Sequence, residues 1–365
     1  MNDRFLTRCF YASVIAVLLF STPVFSQSES DPNKAKLVEA IKLMDKGELD
    51  ASITILKDLQ KLDPDNYMYN YELGYALYLK KDYATAIEVM EKLKASKAAN
   101  DMLFQLQGNA YDMSGNAEKA VQTYAEGLLR FPNSGKLYLE SGIMNLKKND
   151  MKAALGNFEK GIAVEPKFPS TYYWASRVWL DTPEKLWGLI YGEIFMNLES
   201  NSKRTAEISK LLFDTYKSQI TIASPGHISV SFSKNNVVTA KNTSPDKILP
   251  YGMTVYERLL LVSVLGYKEV NINTLDSMRT NFVGEYFKGK TAVTYPNVLF
   301  SYQKKIIEAG HIESYNHWIL HKGDEALFKS WLAANTEKWQ AFLKWYNTNR
   351  LVLDANNRFS ISDYL

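Results

Sequence analysis

Small and large apolar residues recur in the first half of the chain with a period of 34 residues. Three sets keep this spacing: Gly74, Gly108 and Gly142; Ala86, Ala120 and Ala154; and Met90, Tyr124 and Phe158. A fixed period of this length is typical of repeat proteins in which each unit is one supersecondary structure. Each unit here reads as helix, short turn, helix. The small residues let two helices cross closely, and the large residue is expected to fill the gap to the next unit.

Residues 101–134 hold the fullest set of repeat positions, namely Phe104, Gly108, Tyr111, Ala120, Tyr124 and Pro132. At these offsets the chain resembles the tetratricopeptide repeat family, whose helix pairs stack into a solenoid. Units 67–100 and 135–168 keep most of the same positions, and weaker units at 33–66 and 169–202 flank them. The resemblance implies a solenoid of about five helix-turn-helix repeats over residues 33–202.

Beyond residue 202 the period is lost, while the helical pattern continues. It predicts helices at about 204–217, 253–266, 273–288, 297–309, 312–322, 324–334 and 336–348. Ile228, Val230 and Phe232 alternate with serines, which predicts a two- or three-stranded insert near 219–240. The predicted fold is therefore mainly α: a tetratricopeptide-like solenoid, followed at 203–365 by a helical C-terminal domain with a small β-hairpin insert.

The first 26 residues have the pattern of a secretory signal peptide. Arg4 and Arg8 precede an apolar run at 10–20, and small residues follow, with cleavage expected before Gln27. The alternative, an uncleaved anchor, needs about 20 apolar residues. Cys9, the single cysteine, precedes the apolar run and cannot be a lipoprotein cysteine. We expect export to a bacterial envelope as a periplasmic or secreted protein, with no integral membrane segment after cleavage and no disulfide.

Charge and motifs argue against several ligand classes. The net charge of +3, without a basic block, favours no nucleic-acid partner. Residues 284–291 match G-x-x-x-x-G-K-[ST], but a phosphate-binding loop must follow a buried strand, and the preceding residues have a helical pattern. We interpret the match as chance and expect no nucleotide and no cofactor.

The C-terminal half holds the weak candidates for other chemistry. His317 and His321 are spaced i, i+4, as in many metal pairs, and His311 lies near them, with Glu313 or His227 as a further ligand. Half-buried structural histidines are the favoured interpretation, and no metal is predicted. The aromatic residues of this region could stack on sugars, but their helical spacing favours a core. They are Trp318, Phe328, Trp331, Trp339, Phe342, Trp345 and Tyr346.

The resemblance also implies a binding groove, lined by the first helix of each repeat. The positions carried over are Leu37, Ile41, Met44, Tyr71, Tyr75, Tyr78, Gln105, Asn109, Asp112, Lys136, Leu139, Ile143, Tyr173 and Arg177. Of these, the predicted partner-binding residues are Tyr71, Tyr75, Tyr78, Gln105, Asn109, Lys136, Ile143 and Arg177. The family's carboxylate clamp is not predicted, because Gln105 and Glu140 stand where basic residues are required. Alternatively, Tyr71 and Tyr75 pack against the C-terminal domain.

No catalytic motif occurs in a suitable context, so the sequence favours a non-catalytic scaffold that holds a protein or peptide partner in the cell envelope. The alternative is an envelope enzyme or glycan-binding protein with its site in the C-terminal domain, near residues 311–321. A cleft with convergent titratable groups in that domain would support the alternative.

Overall fold

A computed structural model describes residues 31–224, 227–233 and 251–364. The chain forms two compact units that divide between Pro132 and Asn133. The predicted signal peptide at 1–26 lies outside the described residues, as do residues 234–240 of the predicted β insert.

The first unit consists of helices joined by short turns: α1 (Pro32–Asp45), α2 (Leu49–Leu62), α3 (Tyr67–Leu79), α4 (Tyr83–Leu93), α5 (Asp101–Met113) and α6 (Ala117–Arg130). Polar caps explain where several helices begin. The side chains of Asn66, Asp82 and Asn116 each accept a hydrogen bond from a backbone N–H in the first turn of α3, α4 and α6. Consecutive helices pack as hairpins.

The second unit continues with helix pairs and then changes architecture. Its repeat helices are α7 (Gly135–Lys147), α8 (Met151–Val164), α9 (Pro169–Leu180) and α10 (Lys185–Leu198). Helix α11 (Lys203–Gln219) leads into an antiparallel hairpin, β1 (Ile220–Ser224) and β2 (His227–Val230). A π-helical turn (Gly252–Glu257) precedes α12 (Arg258–Val264), α13 (Ile272–Tyr286), α14 (Thr291–Thr294), α15 (Val298–Glu308), α16 (Ile312–Leu320), α17 (Glu325–Ala334), α18 (Thr336–Thr348) and a 3₁₀ turn (Ile361–Asp363).

The predicted fold class is confirmed: the chain is mainly helical, with repeated hairpins and a small β-hairpin. The helices after residue 202 begin and end within a few residues of the predicted limits. Helix α14 was not predicted, because four residues are too few to show a helical period. Among the described residues, no helix combines the length and apolar character needed to cross a membrane.

The 34-residue pattern corresponds to one contact in each hairpin. A Cβ atom built on Gly108 would lie 2.2 Å from Cε1 of Tyr124, and one on Gly142 would lie 2.3 Å from Cε1 of Phe158. The large residue, expected to fill the gap to the next unit, therefore packs against the glycine of its own hairpin. Any larger residue in place of the glycine would displace a buried ring.

In the first and last units a serine marks the same crossing. Ser52 donates its hydroxyl to the carbonyl of Ala40 at 2.8 Å, and Ser176 donates to the carbonyl of Gly188 at 2.7 Å. Both bonds are buried and join the two helices of one hairpin. The weaker sequence match of these units thus reflects a different close contact at the crossing.

Helix α10 is enclosed on every side, and its buried residues run without a break from Leu186 to Asn197. A helix that is buried all round belongs to a core rather than to a surface layer. It contacts α9, α11 and α15. The last repeat is therefore part of the core of the second unit.

A buried ion pair lies at the centre of this core. Nη2 of Arg279 on α13 donates to Oε1 of Glu193 on α10 at 2.7 Å, and both side chains are at most 5% exposed. The same oxygen accepts from Nε2 of Gln303 at 2.6 Å and from the hydroxyl of Tyr315 at 2.9 Å. Four helices, α10, α13, α15 and α16, thus meet at one carboxylate oxygen.

The other two nitrogens of Arg279 also have hydrogen-bond partners. Its Nε donates to Oδ1 of Asn316 at 2.8 Å, and its Nη1 donates to the hydroxyl of Tyr216 on α11 at 3.1 Å. A buried charge is tolerated only when it is paired and fully hydrogen-bonded. Here the charge is paired, and each nitrogen of Arg279 has a partner in a network of side chains from five helices.

We expect Gly142→Ala to lower the stability of the protein by about 1–3 kcal/mol, because the added methyl group overpacks the ring of Phe158. Gly156→Ala is the matched control: it lies on the partner helix α8, and a Cβ atom added there would meet no atom within 4 Å. Alanine there is expected to stabilise the helix by up to about 1 kcal/mol. Chemical unfolding measures both changes, and equal effects would contradict the close crossing.

We expect Arg279→Met to destabilise the protein by about 3–5 kcal/mol, because it leaves the Glu193 carboxylate buried without a counter-charge. Lys210→Met is the control, since it removes a pair with Asp214 whose side chains are 60% and 48% exposed, and it should cost no more than about 1 kcal/mol. The double variant Arg279→Met/Glu193→Leu should recover part of the loss. Urea unfolding in which the two single variants behave alike would contradict this account.

Candidate partner-binding surface

Helix α3 presents the predicted row of tyrosines. Tyr71, Tyr75 and Tyr78 are all half-buried. The ring of Tyr71 stacks on that of Tyr67 with centroids 5.9 Å apart, and Tyr78 contacts Tyr83 at 5.6 Å. These ring contacts restrict the side chains of Tyr71 and Tyr78.

Carboxylates lie near Tyr71 and Tyr75. Burial, reinforced by the charge of Asp45 at the end of α1, raises the pKa of Glu72 to about 7. Burial also raises the pKa of Tyr71 and Tyr75, and in both cases the charge of Glu72 adds to the effect. Asp101 contributes at Tyr71. This part of the first unit is therefore both aromatic and acidic.

The sequence analysis missed Glu72 and Asp45. Glu72 is three residues before Tyr75, a spacing that makes the two side chains neighbours on the surface of a helix. Asp45 follows Met44, which was assigned to the groove. The spacing of Glu72 is visible in the sequence, but its burial and its proximity to Asp45 are not.

The two predicted groove residues on α5, Gln105 and Asn109, differ in their contacts. Gln105 is half-buried. Oδ1 of Asn109 accepts the hydroxyl of Tyr124 at 2.5 Å, and that ring is only 1% exposed. Asn109 thus supports the hairpin crossing at Gly108, and its replacement would leave a buried hydroxyl without this acceptor.

In the second unit, most of the predicted groove residues are buried or contact other residues of the same unit. Ile143 is buried, with 4% of its surface exposed. Lys136 lies over the ring of Phe168 at 5.9 Å. Nε of Arg177 pairs with Oε1 of Glu207 at 3.3 Å, so α11 contacts this end of the repeat helices. The assignment of all these residues to one partner-binding groove stays a prediction.

The candidate metal-ligating histidines are held by other contacts. His317 is buried, with Nδ1 2.8 Å from the carbonyl oxygen of Glu313 and Nε2 3.1 Å from Oδ1 of Asn273. Nδ1 of His321 lies 2.7 Å from the carbonyl oxygen of Trp318, and the ring of His311 lies 5.4 Å from that of Trp345. In the part of the chain that is described, no three His, Cys, Asp or Glu residues are placed to hold a metal ion.

Most of the aromatic cluster in the C-terminal half packs as core. Trp318, Trp331, Phe342 and Tyr346 are buried. Trp331 stacks on His317 with ring centroids 4.2 Å apart. The helical spacing of these residues therefore corresponds to side chains that pack against one another between α16, α17 and α18.

The string at 284–291 has a helical context. Gly284 lies inside α13, which ends at Tyr286, and Gly289 adopts a φ of +68° in the following turn. A phosphate-binding loop requires a strand at the place that α13 occupies.

The buried network around Glu193 brings titratable groups together in the C-terminal half, as the enzyme alternative requires. A cavity of about 20 Å³ adjoins it, lined by Tyr216, Tyr256, Arg279 and Gln303 among others. That volume holds about one water molecule. A cavity of this size is too small for a substrate.

We expect Glu72→Gln to stabilise the protein at pH 8 and to have no effect at pH 4.5. The raised pKa means that the folded state favours the protonated carboxyl, so the parent loses stability as the pH rises from about 4.5 to 7 and glutamine removes that loss. After allowance for partial exposure, we expect about 1–2 kcal/mol. Glu88→Gln, at an exposed position on α4, is the control. Unfolding curves at both pH values test this, and a Glu72→Gln effect that is independent of pH would contradict it.

Comparison with known proteins identifies the repeats. A family model described as tetratricopeptide repeat matches residues 37–101. Cellulose synthase operon protein C of Pseudomonas fluorescens (strain SBW25) is 28% identical over 120 residues, which cover 33% of this chain. The match spans 9% of the length of that protein.

Similar solved structures include MamA from Desulfovibrio magneticus RS-1, with 28% identity, 37% of this chain and 76% of that chain covered, and a TM-score of 0.34. A thermophilic tetratricopeptide repeat protein from Thermus thermophilus has 16% identity, coverage of 49% and 98%, and a TM-score of 0.43. PilF of Pseudomonas aeruginosa has 17% identity, coverage of 50% and 82%, and a TM-score of 0.43.

The match at 37–101 falls on the helix hairpins whose 34-residue period and close crossings were described above. The predicted resemblance is therefore confirmed, and the chain contains tetratricopeptide repeats.

Proposed function

We propose that this protein is a non-catalytic scaffold that holds a protein or peptide partner on the repeat helices of its first unit. Tetratricopeptide repeat proteins are generally protein-interaction scaffolds, and the repeats are present here. The observation that carries the proposal for this chain is the half-buried row of Tyr71, Tyr75 and Tyr78 on α3.

The physical character of this surface suits a protein partner. Tyrosine rings offer a large contact area with few rotatable bonds and a hydroxyl for hydrogen bonding, which is why tyrosine is common at binding hot spots. Exposed apolar side chains also occur in this unit: Met68 on α3 and Met102 on α5 are 48% and 41% exposed. Methionine adapts to varied partners because its side chain is unbranched and flexible.

The proposal includes export to a bacterial cell envelope, supported by the basic start, the apolar run and the small residues of the first 26 positions. In that compartment the partner would be an envelope or secreted protein. The C-terminal alternative, an enzyme or glycan-binding site, lacks similar support, because the nearby histidines are engaged in hydrogen bonds and the adjoining cavity is water-sized.

A pull-down from envelope extract with the mature chain tests the proposal. The variant Tyr71→Ala/Tyr75→Ala should retain at least one partner about tenfold less than the parent, because two aromatic contacts are lost. Asn109 is left unchanged, since it accepts the hydroxyl of Tyr124.

Leu62→Ala/Leu129→Ala is the matched control, because these leucines are 63% and 87% exposed on the second helices of their hairpins. It should retain partners as the parent does. Thermal unfolding must first show that both variants are folded. Every partner being held equally by the parent and the tyrosine variant would refute a role for this surface.

A further inference from the structure

Two basic side chains rest on aromatic rings where α15 and the end of α18 meet. Nζ of Lys305 on α15 is 5.7 Å from the ring centroid of Trp345 on α18. Cζ of Arg350, two residues beyond α18, is 4.1 Å from the ring centroid of Tyr346. Both are favourable cation–π arrangements. These four residues form the α15–α18 surface, and among the residues that the structure describes neither of its cations forms an ion pair.

The core fixes the position of the α15–α18 surface. Tyr302 on α15 donates its hydroxyl to the carbonyl of Asn349 at 2.8 Å, which ties the residue before Arg350 to α15. Tyr346 is only 3% exposed, so the ring beneath Arg350 belongs to the core. Nη2 of Arg350 lies 3.5 Å from Oδ1 of Asn347. That distance exceeds the usual range for a hydrogen bond, and a guanidinium has five N–H donors, so donors remain for a ligand.

Positive charge dominates the segments that form this surface. Helix α15 contains two lysines and one acidic residue, Glu308, which lies 3.7 Å from Nζ of Lys304. Residues 339–350 contain two basic and no acidic side chains. On the neighbouring α16, Glu313 is paired with Lys338 at 2.8 Å. The surface is therefore complementary to a ligand that carries negative charge.

The geometry favours carboxylates over a stacked sugar as the ligand. The indole of Trp345 is half-buried, Lys305 lies over it, and the ring of His311 is 5.4 Å away. These neighbours leave less of the indole face for a sugar ring to stack on. Lys305 and Arg350 are exposed and can only donate hydrogen bonds, so the ligand must supply the acceptors. Carboxylates give strong bonds to them because both partners are charged.

The aromatic rings also reduce the entropy that is lost on binding. An exposed ion pair usually contributes little, because two long side chains must be ordered to form it. Contact with Trp345 and Tyr346 already restricts the two cations, so they lose less rotamer freedom when a carboxylate binds. The α15–α18 surface is therefore partly ordered before a ligand arrives.

We propose that the α15–α18 surface binds an acidic segment of a partner protein, whose Asp or Glu carboxylates pair with Lys305 and Arg350. This goes beyond the proposed function, because the surface belongs to the second unit and uses none of the tyrosines of α3. A scaffold with two such surfaces can hold two segments of one partner or of two partners, and two linked contacts bind more tightly than either alone.

Fluorescence anisotropy with labelled peptides tests this on the mature chain. The probe is a 12-residue peptide of alternating alanine and glutamate, compared with the same peptide containing glutamine at every glutamate. All titrations use one ionic strength, because salt screens exposed charges. We expect the glutamate peptide to bind at least tenfold more tightly than the glutamine peptide, and equal binding of the two would overturn the proposal.

Two double variants separate a specific site from general attraction to a basic protein. Lys305→Gln/Arg350→Gln should weaken binding of the glutamate peptide about tenfold, because two ion pairs are lost. Lys268→Gln/Lys329→Gln removes the same charge from exposed positions elsewhere in the second unit and should change the affinity less than twofold. Equal weakening by both variants would refute a site at Lys305 and Arg350.

A third variant, Trp345→Leu, tests the contribution of the ring while every charge is kept. It should weaken binding of the glutamate peptide at least threefold, because Lys305 loses the ring that restricts it. Thermal unfolding must first show that the variant is folded. An unchanged affinity would contradict the ring-supported site.

Two further titrations identify the ligand class and the surface. If a labelled polymer of acidic sugars binds in a manner that depends on Lys305 and Arg350 while the two peptides bind equally, the ligand is a glycan and the proposal is wrong. Tyr71→Ala/Tyr75→Ala should bind the glutamate peptide as the parent does. Loss of binding in that variant would assign the acidic segment to α3 and overturn its assignment to the α15–α18 surface.

Discussion

The arrangement of the second unit depends on one buried ion pair. Arg279 and Glu193 are withdrawn from water, and the desolvation cost is offset only when every donor and acceptor is paired. That requirement fixes α10, α11, α13, α15 and α16 around a single point. It also positions α11, whose Glu207 and Arg204 contact Tyr173. Helix α11 therefore joins the two sites: it contacts the buried ion pair through Tyr216 and the fifth repeat through Arg204 and Glu207.

The second and fifth repeats share a tyrosine position but differ in the residues around it. Tyr71 and Tyr173 lie three periods apart, each on the first helix of its hairpin, but their neighbours differ. In the fifth repeat the chain satisfies the ring with its own arginines, and the ring is 1% exposed. In the second repeat the ring remains half-buried and its charged neighbours are acidic. The two repeats therefore differ in which charged groups of the chain lie near the tyrosine.

The sequence was sufficient for the helices and for the family, because periodicity is local and a repeat displays it several times. It did not show which neighbour a periodic residue contacts, so Tyr124 was assigned to the gap between units instead of to Gly108. Pairs such as Glu193 and Arg279 are 86 residues apart and leave no local signal. Glu72 was overlooked for a related reason, since the raised pKa that distinguishes it comes from burial and from Asp45 on another helix. The groove assignment rests on the family resemblance and stays a prediction.

The enclosure of α10 limits how this array can vary in length. In an ordinary solenoid each repeat touches only its neighbours, so units can be gained or lost with little effect on the rest. Here the last repeat helix is buried from Leu186 to Asn197 by α9 together with elements that follow it, α11 and α15. An extra hairpin inserted behind α10 would separate Glu193 from Arg279 and expose an apolar helix. Changes in repeat number are therefore compatible with this core only upstream of α10, among the units that precede the last one.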